Sequence, residues 1–396
     1  MFSSTSLPYL FFIFSSLFFA LLPVLSHRYD YLPHYRKIEI NKSKMMVSTY
    51  FFIIISLFFI GLRGDIFSDM PGYHELYDIS PDIFGFSQRA SDSDWRISSY
   101  EPAFIFYMFL CKTFFNDFSV FVFLSFLIDF IVLFFLAKKY TGKYALLAIV
   151  VFYIMGGILF EVNLLRFSKA VIIFLLSLTF LERKKFVPYL LLNIFGSLFH
   201  ASGLLFIPLY FIINKMWNRK LVFIFFIAGN VIYLLNVHYL QPILQFIADI
   251  YPHRLTQLAA LYMNRTERMA EGITVGYIER NITFLLIFFN YHKLLKEDKR
   301  ILIFINMFYL LLFSYLFFAE NGVMAGRFVE LFIFSYPIIY PKLFSLLKDK
   351  RLQAIVLSIF CLYSVAKYMN YGSKIQDDGE GIYKNVILHE LGIGDF

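Results

Sequence analysis

A helical protein threaded many times through a bilayer is the fold class this sequence predicts, and three observations predict it. Of the 396 residues 59% are apolar and only 16% charged, where soluble domains carry about 25% charged residues. Mean hydropathy is +0.67. Apolar runs of span length also recur along the chain. This composition excludes a soluble cytosolic enzyme, a secreted disulfide scaffold and a disordered tail. Cys111 and Cys361 are too few for a disulfide framework and lack metal-ligand spacing. In a bilayer protein the net charge of +8 marks cytoplasmic loops rather than a nucleic-acid partner.

The first run, Leu7–Leu25, has no Lys or Arg before it and no small-residue cleavage site after it, so a retained span with its N-terminus outside is expected. The further spans expected are Met45–Leu62, Phe118–Ala137, Tyr144–Phe160, Leu164–Leu181, Phe186–Phe199 and Ala201–Asn214. Beyond them lie Lys220–Val237, Tyr277–Tyr291, Ile301–Phe318, Ala325–Tyr340 and Leu352–Tyr368. About twelve transmembrane segments follow, in a single integral membrane domain over 1–396 with both termini outside. The loops 26–44, 138–143, 182–185, 215–220, 292–300 and 341–351 hold 22 of the 36 Lys and Arg. Short basic loops belong on the cytoplasmic side, which fixes the orientation.

Pro102–Phe115 is apolar but too short to cross a core of about 30 Å, and it contains Lys112. An interfacial helix over 101–115, within an outer loop 63–117, fits it better. Basic clusters flank 186–214 on both sides, so a hairpin of two short limbs is expected there, turning at His200-Ala201-Ser202-Gly203. A second long outer loop, 238–276, reads as two short amphipathic helices broken at Tyr251-Pro252. Long loops of this kind are commonly functional. The tail 369–396 would lie outside.

Cation type separates the two faces. The cytoplasmic side carries six arginines beside sixteen lysines, the outer side nine arginines and five lysines. Lysine suffices as a topology signal, whereas the guanidinium fork suits bidentate recognition of phosphate or carboxylate. Arg89 and Arg96 sit in an acidic loop that can pair them. Arg63, Arg166, Arg280 and Arg327 instead stand at segment ends, and ionisable groups at membrane depth are costly. Asn163, Arg166 and Lys169 recur at i, i+3 and i+6, which a continuous helix would align on one face. Snorkelling, or pairing of Arg327 with Glu330, is the structural alternative. Asp65, Glu101, Glu161, Glu279 and His200 are the candidate acid–base groups on this side. Asp92-Ser93-Asp94 has the form of a weak divalent-metal motif, and no metal or cofactor is expected. No P-loop, metalloprotease helix or nucleophile elbow occurs.

Taken in order, several stretches resemble the EpsG/Wzy family of bacterial polysaccharide polymerases, which includes O-antigen and capsule polymerases. They are Gly61-Leu62-Arg63-Gly64-Asp65 with Tyr73, Tyr100-Glu101-Pro102, Asn163-Leu-Leu-Arg166 with Ala170, Phe199-His200-Ala201-Ser202-Gly203, and Gly326-Arg327-Phe328 near Tyr336. Gly64-Asp65 departs from the family in its shorter Arg-to-Asp spacing. The resemblance implies a GT-C-like glycosyltransferase of the bacterial inner membrane. It would polymerise undecaprenyl-diphosphate-linked oligosaccharide repeat units on the outer face, alongside a flippase and a chain-length regulator. Catalytic roles would fall to His200, Glu101, Asp65 and Glu279. Diphosphate contacts would come from Arg166, Arg280, Arg327, Arg63 and Lys169, with Asn163 and Tyr73 as further substrate contacts. A lipid-linked-oligosaccharide flippase and an O-antigen ligase are the alternatives.

Overall fold

Helix is the only regular structure among the described residues of this computed structural model, apart from one isolated bridge pairing Arg63 with Asn385. The described residues are 7–26, 39–84, 100–250, 272–378 and 382–392. Arg89, Arg96, Asp92-Ser93-Asp94, Arg254, Arg265, Arg268 and the Tyr251-Pro252 break lie outside them. The chain divides into two units, residues 1–210 with 340–396, and residues 211–339.

In the first unit α1 (Leu7–Ser26) packs on α2 (Glu39–Ser56), which ends in a π turn, Leu57–Gly61. α3 (Met70–Ile79) follows a loop that passes Phe67 in the left-handed region, at φ 67°. α4 (Pro102–Phe114) starts on its proline, as a pyrrolidine ring favours at a first helical position. α5 (Phe118–Thr141) is capped by Asp117, whose carboxylate accepts from Ser119 N at 2.7 Å, and it ends on Lys138, Lys139 and Gly142 at φ 58°. Cations in the last turn and a left-handed glycine beyond it are the ordinary way to stop a helix.

The chain then returns through α6 (Ala145–Phe152), a π turn kinked at Gly156 (φ 121°), and α7 (Ile158–Asn163). α8 (Leu165–Glu182) is separated from α7 by Leu164 at φ −109°, ψ 52°. This break interrupts the continuous face expected over 163–169, so Asn163 and Arg166 belong to different helices. α9 (Phe186–Ser197) packs on α8, and the chain turns through 198–200 into 3₁₀ segments over Ala201–Phe206 and Pro208–Phe211. That turn is tight: a Cβ on Gly203 would lie 2.5 Å from Ser197 N and 2.8 Å from Gly196 C. Only glycine fits against backbone that close.

Also in this unit, the segment after α16 (Lys350–Asp378) runs back along the end of α2. Gly64 N donates to Lys384 O at 3.0 Å and Val386 N to Leu62 O at 2.9 Å. Tyr383 stacks on Phe59 with centroids 4.2 Å apart and donates to Phe59 O.

The second unit contains α10 (Arg219–Leu234), α11 (Leu240–Ile250), α12 (Val275–Glu297), α13 (Ile301–Phe317) and α14 (Gly322–Phe332); α15 (Tyr336–Ser345) carries the chain onward. Asn218, Thr274 and Asn321 cap α10, α12 and α14 through side-chain oxygens, as short polar residues do at helix starts. Glu320 accepts from the backbone N–H groups of Tyr239, Leu240 and Gln241 at 2.7–3.1 Å, so a carboxylate sits on the start of α11.

The chain is a helical membrane protein. Among the described residues two helical stretches, Phe118–Asn163 and Gly322–Ser345, are long and apolar enough to cross a membrane. Leu7–Leu22, Met46–Gly61, Pro102–Phe114, Phe186–Ser197, Ala201–Phe211, Leu240–Ile250 and Ile301–Phe317 are shorter apolar helices. The π turns, the Leu164 break and the 3₁₀ segments are local backbone features that hydropathy does not encode.

Candidate functional site

In the first unit four chain segments converge on Arg166. It is the second residue of α8, and its Nη1 pairs with Glu101 Oε2 at 2.7 Å. Its Nε donates to the Tyr73 hydroxyl at 3.2 Å, and its guanidinium lies 4.5 Å from the centroid of the Tyr100 ring. Glu101 occupies the N-cap position of α4 without capping that helix. Instead its second oxygen accepts from Ala201 N at 3.2 Å, while Ala103 N donates to Leu198 O at 2.9 Å. The starts of α4 and of the 3₁₀ segment are thereby tied together. Burial pushes the Glu101 carboxyl up, but hydrogen bonds from Arg166 and the backbone, with the guanidinium charge, outweigh it and hold the group below its ordinary value. Burial pushes the Tyr73 phenol up despite Arg166, so its hydroxyl stays neutral. The Arg166 and Glu101 side chains keep 25% and 21% exposure.

α3 is the platform beneath this cluster. Met70, Tyr73, Leu76 and Tyr77 form its buried face, packed with Phe104, Met108, Phe121 and Leu165; each such side chain contributes about 1.5–3 kcal/mol when removed from water. Asn163 accepts from Asp69 N at 3.0 Å at one end of the helix. At the other end Lys112 donates to Tyr77 O and Asp78 O at 2.6 and 2.8 Å. A lysine that looks misplaced in an apolar helix thus satisfies the terminal carbonyls of its neighbour.

His200 is the N-cap of the 3₁₀ segment: its Nδ1 accepts from Ser202 N at 3.2 Å, and its ring meets Phe167 edge-on. With Nδ1 accepting, the neutral ring carries its proton on Nε2, which makes it a donor rather than a base. Asp65 contacts His74, Oδ2 to Nδ1 at 2.5 Å, with 33% and 42% of the two side chains exposed. His74 escapes sequence reasoning because the loop between the two residues, not a helical spacing, brings them together.

Arg63 and Lys169 lie deeper, at 1% and 6% exposure. Arg63 donates to the backbone oxygens of Ile60 and Glu161 at 2.7 and 2.8 Å. Lys169 pairs with Asp129 at 2.6 Å and donates to Ser125 O at 2.7 Å, while Ser168 also donates to Asp129. Both cations are engaged internally and present little surface to a ligand.

In the second unit Glu279 accepts from Thr283 Oγ1 at 2.9 Å and from the Tyr336 hydroxyl at 3.0 Å. The Arg280 guanidinium lies 4.3 Å from the Tyr315 ring centroid, and Tyr315 shares a 2.9 Å hydroxyl contact with Tyr233. Arg327, 55% exposed, pairs loosely with Glu330 at 3.4 Å. Among the described residues no cluster of three or more His, Cys, Asp or Glu is arranged to hold a metal ion.

These features define a helical membrane protein whose first unit presents a clamped, half-exposed guanidinium beside tyrosines. The chain belongs to the EpsG family, whose model matches residues 46–385. Membership supports a polysaccharide-polymerase-like role. No curated relative and no solved structure matches the chain.

Proposed function

We propose that the chain is a GT-C-like membrane glycosyltransferase that polymerises undecaprenyl-diphosphate-linked oligosaccharide repeat units at the outer face of the bacterial cytoplasmic membrane. About twelve spans and a cytoplasmic location of the short basic loops belong to this reading. The observation that carries it is Arg166, held by Glu101 and Tyr73, backed by Tyr100 and still partly open. A diphosphate leaving a sugar develops negative charge, and a guanidinium fixed beforehand stabilises that charge without reorganising. Its planar fork matches phosphate oxygens, and Glu101 and Tyr73 hold the fork in orientation. Tyr100 and Tyr73 supply ring faces of the kind on which sugars stack. Asn163 contributes by holding the start of α3. In the second unit Arg280 and Arg327 offer guanidinium groups of the same chemistry.

The test is reconstitution of the purified protein in vesicles with lipid-linked repeat units extracted from cells lacking it. A ladder of products with increasing repeat number supports the proposal. Translocation with no ladder identifies a flippase, and transfer only onto added lipid A core identifies a ligase.

A further inference from the structure

Resting on the glycosyl-transfer reading, we propose that His74 is the base that takes the proton from the acceptor hydroxyl, with Asp65 as the residue that positions it. The geometry points to this pair because Glu101 and His200, the candidates nearest Arg166, are engaged otherwise. Glu101 is held as a carboxylate by Arg166 and Ala201 N, below its ordinary value, which makes it a weak proton acceptor. His200 offers a donor at Nε2, since its Nδ1 accepts from Ser202 N.

His74 has the opposite arrangement. Its Nδ1 faces Asp65 Oδ2 at 2.5 Å, so Nδ1 carries the proton and the lone pair stands on Nε2 of a side chain 42% exposed. The ring stacks on Phe118, with centroids 4.5 Å apart and planes 12° from parallel, which sets its orientation. Among the described residues, the carboxylates paired with it are Asp65 from the loop before α3 and Asp78 on α3 itself, whose Oδ2 lies 3.8 Å from Nε2. α5 contributes the uncharged Phe118 ring, and the adjoining Asp117 is bonded to Ser119 N. His74 also follows Tyr73, the residue that holds Arg166, so one anchored helix carries both groups.

In the step itself, the acceptor oxygen bonds to the anomeric carbon as its proton passes to His74 Nε2. The bond from that carbon to the diphosphate oxygen breaks, and its electron pair leaves on the lipid diphosphate. The imidazolium then releases its proton to water. Asp65 accepts from Nδ1 throughout and holds the ring.

The assay is the ladder-forming reconstitution, with undecaprenyl diphosphate binding measured in nanodiscs by native mass spectrometry. His74→Gln should lower turnover about 10²–10⁴-fold. It should leave undecaprenyl diphosphate binding within about threefold, since the lost group acts on the acceptor proton. His74→Phe keeps a ring on Phe118 and should be as inactive while remaining folded. Asp65→Asn should lose less rate, lowering kcat with KM within about threefold, because Asp65 acts through the ring that it holds. Normal turnover in folded His74→Gln overturns the proposal while a wild-type ladder leaves the polymerase reading standing. A folded His74→Phe with normal turnover overturns it equally, and a wild type that forms no ladder overturns both.

Discussion

Two ion pairs on α8 lie three residues apart and are built to opposite ends. Arg166–Glu101 spans 2.7 Å with 25% and 21% of the side chains exposed; Lys169–Asp129 spans 2.6 Å with 7% and 2% exposed. Geometry alone does not distinguish them, but surroundings do. Lys169 and Asp129 tie α8 to α5: the ammonium also donates to Ser125 O, and Ser168 Oγ donates to the same Asp129 oxygen, Oδ2, that Lys169 meets. A charge removed from water so completely tolerates no loss of its partner. Arg166 rests on aromatic rings at the edge of a loop and can share its fork with an arriving anion. Equal pair distances therefore go with different uses: one pair holds helices together, and the other presents a cation.

The sharpest attempt to break this comparison is to remove one buried partner. Lys169→Ala or Asp129→Ala leaves an uncompensated charge and should destabilise by about 3–5 kcal/mol. The readout is loss of folded protein in size-exclusion chromatography and a lowered midpoint in detergent. Replacing both, Lys169→Met with Asp129→Leu, should restore folding and polymer synthesis. A folded double variant without polymer would mean that the buried pair serves the chemistry and that the contrast is false.

Arg166→Lys comes next. It keeps the charge, loses the planar fork, and should cut turnover about ten- to a thousandfold, equivalent to about 1.4–4 kcal/mol, at normal protein abundance. Ladder synthesis at matched protein levels checks this. Normal polymer from both Arg166→Lys and Arg166→Ala would make this pair structural too.

Gly203→Ala acts through the backbone. A Cβ 2.5 Å from Ser197 N must push the 3₁₀ segment away from α9. The cost should be about 1–3 kcal/mol in thermal stability, together with weaker polymer synthesis as Ala201 N moves off Glu101. A variant as stable as the wild type would contradict the close approach of the turn.

Glu101→Gln should give the smallest change in stability, and its pH dependence has a definite sign. Glu101 is held below its ordinary value of 4.5 in the folded protein, so its ion pair adds stability that is complete above that value. The contribution is lost as pH falls through the lower, folded value. Midpoints of wild type and Glu101→Gln should thus differ near pH 7 and converge on acidification below about 4.5. A difference that persists unchanged into strong acid would remove the charged pair as its source.

Much of the cluster around Arg166 was legible as residues but not as geometry. Tyr73, Glu101, Arg166 and the 199–203 stretch stood out in order along the chain, and the structure brings them together through α3, the start of α4, the start of α8 and the turn after α9. The alignment of Asn163 with Arg166 failed because Leu164 breaks the helix, which no residue type at that position announces. Arg63 looked as available as Arg166, since both stand at segment ends. Its burial comes from the return of residues 383–386 along the end of α2, more than 300 positions away. His74 carried no signal in the sequence, because its partner is set by the turn through Phe67.

What the sequence by itself determined was the class of protein and the chemistry on offer. Transfer of an apolar run out of water is a sum over its own residues, so composition and span-length runs already announce a helical membrane protein. Arginine's fork is likewise a property of the side chain alone. Which cation is buried and which is presented was decided only by tertiary structure. Desolvation depends on what other segments lay over the group, and for Arg166 those segments come from about residues 73, 101 and 201. For Lys169 they come from α5, which covers the ammonium with Asp129 and the Ser125 carbonyl.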